Sequence, residues 1–330
     1  MREATIQKII DVQNVENSDF LDVVKVLGWQ VVVKRNQFNV GDLCVYIALD
    51  SLLPETQEFE FLRNDKFRIR TKKFRGCLSQ GIVFPLSILP EQNWNEDDDV
   101  SEMLNIIHYE KPIPVEMRGL VRGNFPPYIH KTDENRIQNY PDVINEIRGK
   151  KVYSTVKCDG TSITISIKDG EFHICTRNNS LKIEGNENNI YIKTTLKYDL
   201  QNKLMNYGKN IALQGELCGE GIQKNRLCLK EHKIFMFNVW FIDEQRYGNY
   251  DELKQICTEL NLDIVPIDET IDSFDFTIEQ LLEKAKGIYE GTKNLREGIV
   301  IRPVDEIYSN VMRGRMSFKA LNNDYLVKFE

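Results

Sequence analysis

The run Val152-Tyr153-Ser154-Thr155-Val156, followed at once by Lys157-Cys158-Asp159-Gly160, is the stretch from which the fold is read. Five residues rich in β-branched and aromatic side chains, ending at Asp-Gly, describe a strand that stops in a tight turn. The turn carries one lysine, and an amine fixed there is a candidate nucleophile. Beyond it, strands alternate with helices. Residues 162–167 and 172–176 read as a hairpin about Asp169-Gly170. Residues 251–261 and 277–286 read as amphipathic helices, the second with Thr277 and Gln280 spaced as a capping box. This half of the chain is expected to be a mixed α+β domain.

Upstream, the pattern changes. The first ninety or so residues hold short β-type runs at 4–12, 21–34, 42–50, 67–71 and 81–85, separated by turn residues that include Gly28, Gly41, Gly76 and Gly81. In Leu43-Cys44-Val45-Tyr46-Ile47-Ala48-Leu49 the large aliphatics alternate, giving one face to a core. Several short strands with such turns suggest a small barrel, of which the OB-fold is the commonest nucleic-acid-binding form. The acidic Glu96-Asp97-Asp98-Asp99 then reads as a loop leading into a short helical turn, and Lys111-Pro112-Ile113-Pro114 breaks regular structure. The expected division is an OB-like domain at 1–105, a linker at 106–128 and a second domain at 129–330.

Composition bounds the rest. A chain of 330 residues exceeds the usual size of one hydrophobic core, so two domains are the default. With 41% hydrophobic and 28% charged residues it reads as globular. No apolar run long enough to span a bilayer is present, and Met1-Arg2-Glu3-Ala4-Thr5 lacks a signal core, so an intracellular, soluble protein with no membrane partner is expected, acting as a monomer. The 7 cysteines are scattered with no C-x-x-C pair, against both a disulfide framework and a zinc site. Net charge is -7, yet nucleic-acid binding requires only a local basic surface. Arg63, Lys66, Arg68, Arg70, Lys72, Lys73 and Arg75 set against Asp65 could supply one, or could be a solvated strand face.

The lysine has company. In chain order come Arg136 and Gln138 in Asn135-Arg136-Ile137-Gln138, then Arg177 in Cys175-Thr176-Arg177-Asn178 and Glu216 in Gln214-Gly215-Glu216-Leu217. Phe237 follows in Phe235-Met236-Phe237-Asn238, Glu297 and Arg302 in Arg296-Glu297-Gly298-Ile299-Val300-Ile301-Arg302, and Lys319 in Phe318-Lys319-Ala320-Leu321. Each has a plain structural reading: Phe237 as core, Glu216 and Glu297 as acids of turns, Arg136 and Gln138 as solvated residues at a helix start. As an ordered set, the motifs resemble those of the covalent nucleotidyltransferases, the superfamily of ATP-dependent RNA and DNA ligases and mRNA-capping guanylyltransferases.

The resemblance implies a nucleotidyltransferase (ATP-grasp-like ligase) catalytic domain of antiparallel sheets and helices. It makes Lys157 the nucleophile that attacks the α-phosphate of ATP, expels pyrophosphate and carries AMP. Lysine has a reference pKa near 10.4, so the amine must be driven neutral by partial burial beside cations. The resemblance further implies a nucleotide pocket lined by Arg136, Gln138, Val156, Asp159, Gly160, Ser162, Arg177, Glu216, Phe237, Glu297, Arg302, Lys319 and Lys328. In it Arg177 reaches ribose or phosphate oxygens, Glu216 the ribose hydroxyls and Phe237 stacks on adenine. Glu297 holds Mg²⁺ or Mn²⁺, and Arg302 and Lys319 meet the phosphates. Two positions depart from many relatives. Val156 stands where they carry glutamate, which leaves its backbone and Gln138 to read adenine; Leu321 stands where they carry a second lysine, which makes Lys328 the substitute.

DNA ligases and capping enzymes place an OB domain after the last lysine motif. Here the chain ends shortly after Lys319, at Glu330, and the barrel-like region comes first. That order looks like the RNA ligases with an N-terminal OB module, whose members seal breaks in duplexes with RNA on the 3′-hydroxyl side. An ATP-dependent RNA ligase acting on RNA or a nicked, RNA-containing duplex is therefore expected. The alternatives are a DNA nick ligase, a capping guanylyltransferase, or a catalytically inactive nucleic-acid-binding relative.

Overall fold

The computed structural model describes residues 2–16, 18–110 and 119–329, so the expected break at Lys111-Pro112-Ile113-Pro114 lies outside the described residues. The chain divides into two compact units. The first comprises Met1–Pro112 with Ile137–Pro141 and Leu326–Glu330; the second comprises Ile113–Arg136 and Asp142–Tyr325.

In the first unit five antiparallel strands lie in the order Trp29–Lys34, Leu21–Val26, Ala4–Asn14, Leu43–Ile47, Ile82–Pro85. The long strand Ala4–Asn14 serves two neighbours: residues 4–8 pair with Leu43–Ile47, and residues 9–14 with Leu21–Val26. Within the second of these segments Ile10, between Ile9 and Asp11, is left without a partner, a β-bulge that bends the strand as a curling sheet requires. The side chains turned inward, among them Ile6, Ile9, Val24, Val26, Val45 and Ile47, are fully buried. This is the OB-type half-barrel.

Two expected strands changed. The run 21–34 is cut into a hairpin at Leu27, whose φ is 53°. The run 67–71 is no strand, because Lys66 and Phe67 are both left-handed (φ 54° and 57°) at the end of the 3₁₀ helix Gln57–Asp65. Pairing resumes at Lys72–Phe74 against Cys77–Ser79. The detached segment 137–141 is held to the first unit by hydrogen bonds from Gly28 N–H to the Gln138 carbonyl (2.9 Å) and from Trp29 Nε1 to Asn139 Oδ1 (2.9 Å).

The second unit is built on two sheets. The larger runs Val121–Asn124, Asn179–Leu181, Glu171–Cys175, Thr161–Lys168, Ile211–Cys218, Lys233–Phe241, Arg246–Tyr247, with Asp263–Ile264 added parallel to Lys233–Phe241. The smaller runs Asn135–Arg136, Phe318–Leu321, Gly298–Pro303, Val152–Lys157, Ile267–Ile271. The expected hairpin forms about Asp169 and Gly170, both at positive φ (51° and 82°). The two expected helices appear as Tyr250–Glu259 and Ile278–Lys284, each with a closed capping box. Two more, Ile190–Lys197 and Leu200–Tyr207, cover the larger sheet with Ile192, Leu200 and Leu204.

Candidate active site

The tetrapeptide Lys157-Cys158-Asp159-Gly160 is the crossing between the sheets: Val152–Lys157 ends in the smaller one, and Thr161–Lys168 begins in the larger. Gly160 is required there. A Cβ at that position would sit 2.5 Å from the Leu217 carbonyl and 2.8 Å from Glu216 Cγ, so only glycine lets the crossing lie against the strand Ile211–Cys218. Register then delivers the acids. Ser162 pairs with Glu216 across the larger sheet, and Lys157 pairs with Gly298, next to Glu297, across the smaller one.

Lys157 Nζ donates to Glu297 Oε2 at 2.8 Å, with only 25% and 19% of the two side chains exposed. Burial acts to lower the amine's pKa, but the carboxylates of Glu297 and then Glu216 outweigh it and push Lys157 above the ordinary lysine range. The expected cleft counts a bound metal among its cations; to that expectation the structure adds the carboxylates of Glu297 and Glu216, which favour the protonated amine, and Lys319 lies near enough to interact with it.

Lys319 is the basic residue of the set whose hold on its proton is weakened. It sits beside Arg136 and Val300 on the strand Phe318–Leu321. Burial first, then the charges of Lys157 and Arg136, lower it to about 8. Glu216 moves the opposite way: burial, opposed by Lys157 and reinforced by Glu297, raises it to about 7. Three groups at one end of the two sheets therefore carry displaced affinities for protons, the signature of a working site.

The remaining predicted residues separate into those that join this cluster and those that do not. Ser162 bonds Thr132 through their hydroxyls at 2.8 Å. Arg177 pairs with Asp133 at 2.7 Å and is half exposed, which leaves the guanidinium on the surface of the second unit. Phe237 is the extra residue of a bulge between the register pairs Gln214↔Asn238 and Gly215↔Met236, and its partly buried ring packs beside Cys158 and Cys218. Val156 gives its N–H to the Pro266 carbonyl at 2.9 Å.

Arg302 requires correction. It is 2% exposed, and its guanidinium is consumed inside the protein by Ser317 Oγ (2.8 Å), the Phe237 carbonyl (3.1 Å) and Glu134 (2.6 Å). It braces the smaller sheet against Lys233–Phe241, which places its guanidinium inside the protein and not on an open phosphate site as expected. Gln138 and Lys328 belong to the first unit. Gln138 is 1% exposed and wedged against Gly28, where a Cβ would fall 2.7 Å from its Cα; Lys328 is exposed on the helix Asn323–Phe329.

Comparison with known proteins fits this arrangement. The OB-fold domain family matches residues 3–86, and the RNA ligase family matches residues 150–321. Naegleria gruberi RNA ligase with PPi superposes with a TM-score of 0.90 at 32% identity, covering 100% of this chain and 99% of that one. A mutant of the same ligase with ATP and Mn gives 0.90 at 32% over 99% and 98%, and a mutant with AMP and Mn gives 0.89 at 32% over 99% of each. No curated protein sequence matches.

The chain belongs to the RNA ligase family.

Several residues that shape this ligase's site carry no motif. Tyr289 donates its hydroxyl to the Lys157 carbonyl (2.9 Å) and accepts the Glu297 N–H (3.2 Å), tying the lysine strand to the glutamate. Arg226 pairs with Asp159, both nearly buried, and so fixes the turn. Glu134, under the Arg302 guanidinium, is held below the usual carboxylate range by Arg302 and Arg315 despite its burial. Asn322 is fully buried, gives its N–H to the Glu297 carbonyl (2.9 Å) and its amide to the Arg296 carbonyl (3.0 Å). Tyr289 and Arg226 lie on irregular segments far from Lys157 in sequence, where only tertiary packing gives them a task.

The donor set suits a nucleoside triphosphate with a hard divalent cation. Lys319 and Arg177 offer positive charge of the kind phosphates take, while Glu216 and Glu297 offer carboxylate oxygens. Among the described residues no group of three acids, histidines or cysteines could enclose a metal. Magnesium or manganese held by one or two carboxylates would keep most of its waters, as such ions commonly do.

Proposed function

We propose that this RNA ligase is ATP-dependent and seals a 3′-hydroxyl to a 5′-phosphate at nicks with RNA on the 3′-hydroxyl side, working as a monomer. The observation that carries the reading is the Lys157–Glu297 pair at 2.8 Å on a crossing where Gly160 leaves room for close approach. Support for the cosubstrate comes from the relatives solved with ATP and Mn and with AMP and Mn.

Lys157 Nζ forms the new bond to the α-phosphorus as the bond to the pyrophosphate oxygen breaks. The amine must first give up its proton, which its pairing with Glu297 opposes. Glu297 would hold a divalent cation, which when bound would supply positive charge that favours the neutral amine. Lys319, cationic below about pH 8, stabilises the negative charge that builds on the phosphate oxygens. Arg177 holds phosphate or ribose oxygens with paired donors, Glu216 accepts from ribose, and Phe237 offers its ring to adenine. AMP then passes from Lys157 to the 5′-phosphate, and the 3′-hydroxyl displaces it as the phosphodiester forms. Each step is in-line transfer at phosphorus, for which the protein supplies position and charge.

The test is labelled ATP with Mn²⁺ followed by denaturing electrophoresis. Label should stay with the wild-type protein and be absent from Lys157→Ala. Label from GTP in place of ATP would support capping, and efficient sealing of an all-DNA nick would remove the RNA requirement.

A further inference from the structure

Residues 72–79 form a hairpin in which Lys72 pairs with Ser79, Lys73 with Leu78 and Phe74 with Cys77. Its two tip residues, Arg75 and Gly76, both have positive φ (51° and 86°), the two-residue turn whose twist matches the strands and holds a hairpin in one shape. The root is fastened to the strand Trp29–Lys34. Gln30 Nε2 donates to the Leu78 carbonyl (3.0 Å), Val32 N–H to Ser79 Oγ (3.1 Å), and Gln80 N–H to the Gln30 carbonyl (2.8 Å). The tip is open: Lys73 through Gly76 are exposed, and a Cβ on Gly76 would meet nothing within 4 Å.

The charge at that tip runs against the molecule's net -7. Much of the neighbouring basic stretch is neutralised within the fold: Arg63 pairs with Glu60 and Glu55, Arg68 with Asp50, and Lys72 with Asp65. Arg75, beyond these pairs, has no acidic partner among the described residues. Beside it Phe74 keeps 42% of its surface in water. A rigid arm that holds a phenyl ring and a guanidinium in solvent suits a polyanion with flat apolar faces. RNA has both, as phosphates and bases.

We infer that the 72–79 hairpin is an RNA-contacting arm, with Arg75 on a phosphate and the Phe74 ring against a base left unstacked at a strand end. The inference rests on RNA as the substrate class of the proposed function. It is tested on the full-length protein by fluorescence anisotropy, with a 5′-phosphorylated nicked RNA duplex and a single-stranded RNA of the same length as probes. Arg75→Glu and Phe74→Ala should each weaken binding about 5- to 50-fold, and Arg75→Glu should lower the salt slope by about 1. Transfer of AMP to the protein should stay within about twofold of wild type.

Unchanged affinity and slope would overturn the inference. So would equal loss of RNA binding and AMP transfer, which would make the hairpin a folding element, or binding of anionic lipid vesicles that depends on Phe74 while RNA binding does not. Wild-type protein that binds RNA through this arm but takes no label from ATP would instead refute the transferase reading and leave the arm standing.

Discussion

Lys157 Nζ lies 2.8 Å from Glu297 Oε2, so the amine is one half of a partly buried ion pair. The pair holds the amine in place, and the carboxylate favours its protonated form.

Removing the glutamate should separate these two effects. In Glu297→Gln the main electrostatic support of the ammonium is gone while its burial stays, so the Lys157 pKa falls. An NMR titration of isotopically labelled lysine should record the drop. AMP transfer should nevertheless fall by about 100-fold or more, because the amide no longer holds a divalent cation. A Lys157 pKa equal to wild type would disprove the electrostatic account.

Tyr289 acts on the same pair from behind. Its hydroxyl joins the Lys157 carbonyl to the Glu297 amide, and one such hydrogen bond contributes about 1 kcal/mol. Tyr289→Phe should lower kcat for AMP transfer about 5- to 10-fold with KM for ATP nearly constant, and shift the pH at half-maximal rate. A change confined to KM would show that the tyrosine serves binding alone.

The pH dependence of nucleotide binding should follow Lys319. Its charge is present below about pH 8 and lost as pH rises through that value, so affinity for ATP falls over that window. Lys319→Arg keeps the charge throughout. Calorimetry between pH 6.5 and 9.5 should give a declining curve for wild type and a flat one for the variant; parallel curves would assign the titration to another group.

Glu216 should lower stability at neutral pH. Its folded pKa is raised from 4.5 to about 7, so the protonated form favours folding. That contribution is full below about 4.5 and lost as pH rises through about 7. Glu216→Gln, neutral at every pH, should be more stable to unfolding than wild type at pH 8 by on the order of 1–3 kcal/mol, and so melt higher, with little difference at pH 4. AMP transfer should fall because the acceptor for ribose is gone. Equal melting at both pH values would contradict the predicted strain.

Asp159 and Arg226 form a buried pair beneath the lysine turn, only 8% and 10% exposed in their side chains. Arg226→Ala leaves a carboxylate without its counter-charge, and such cuts cost about 3–5 kcal/mol. Thermal unfolding should record that loss, and Arg226→Lys should restore part of it. An unaltered melting temperature in the alanine variant would mean that water replaces the guanidinium.

Local signals in the chain carry much of this structure. Turn chemistry marks the hairpin about Asp169-Gly170, amphipathic spacing marks the helix that begins at Tyr250, and the capping pair Thr277 and Gln280 marks the next. The run 67–71 misleads because its alternation is genuine while Lys66 and Phe67 take left-handed backbone that no short pattern announces. Arg302 misleads for a related reason: a guanidinium in sequence order with motif residues turns inward once Glu134 and Ser317 are beside it.

By itself the sequence determined that a lysine ends a strand in an Asp-Gly turn, that acids and a second lysine follow in order, and that a β-rich module precedes them, because these are properties of neighbouring residues. Only the tertiary structure decided the electrical state of that lysine. Charge interactions fall off with distance and strengthen as water is excluded, and the carboxylates that set them, Glu297 and Glu216, reach Lys157 only when two sheets close around the crossing at Gly160.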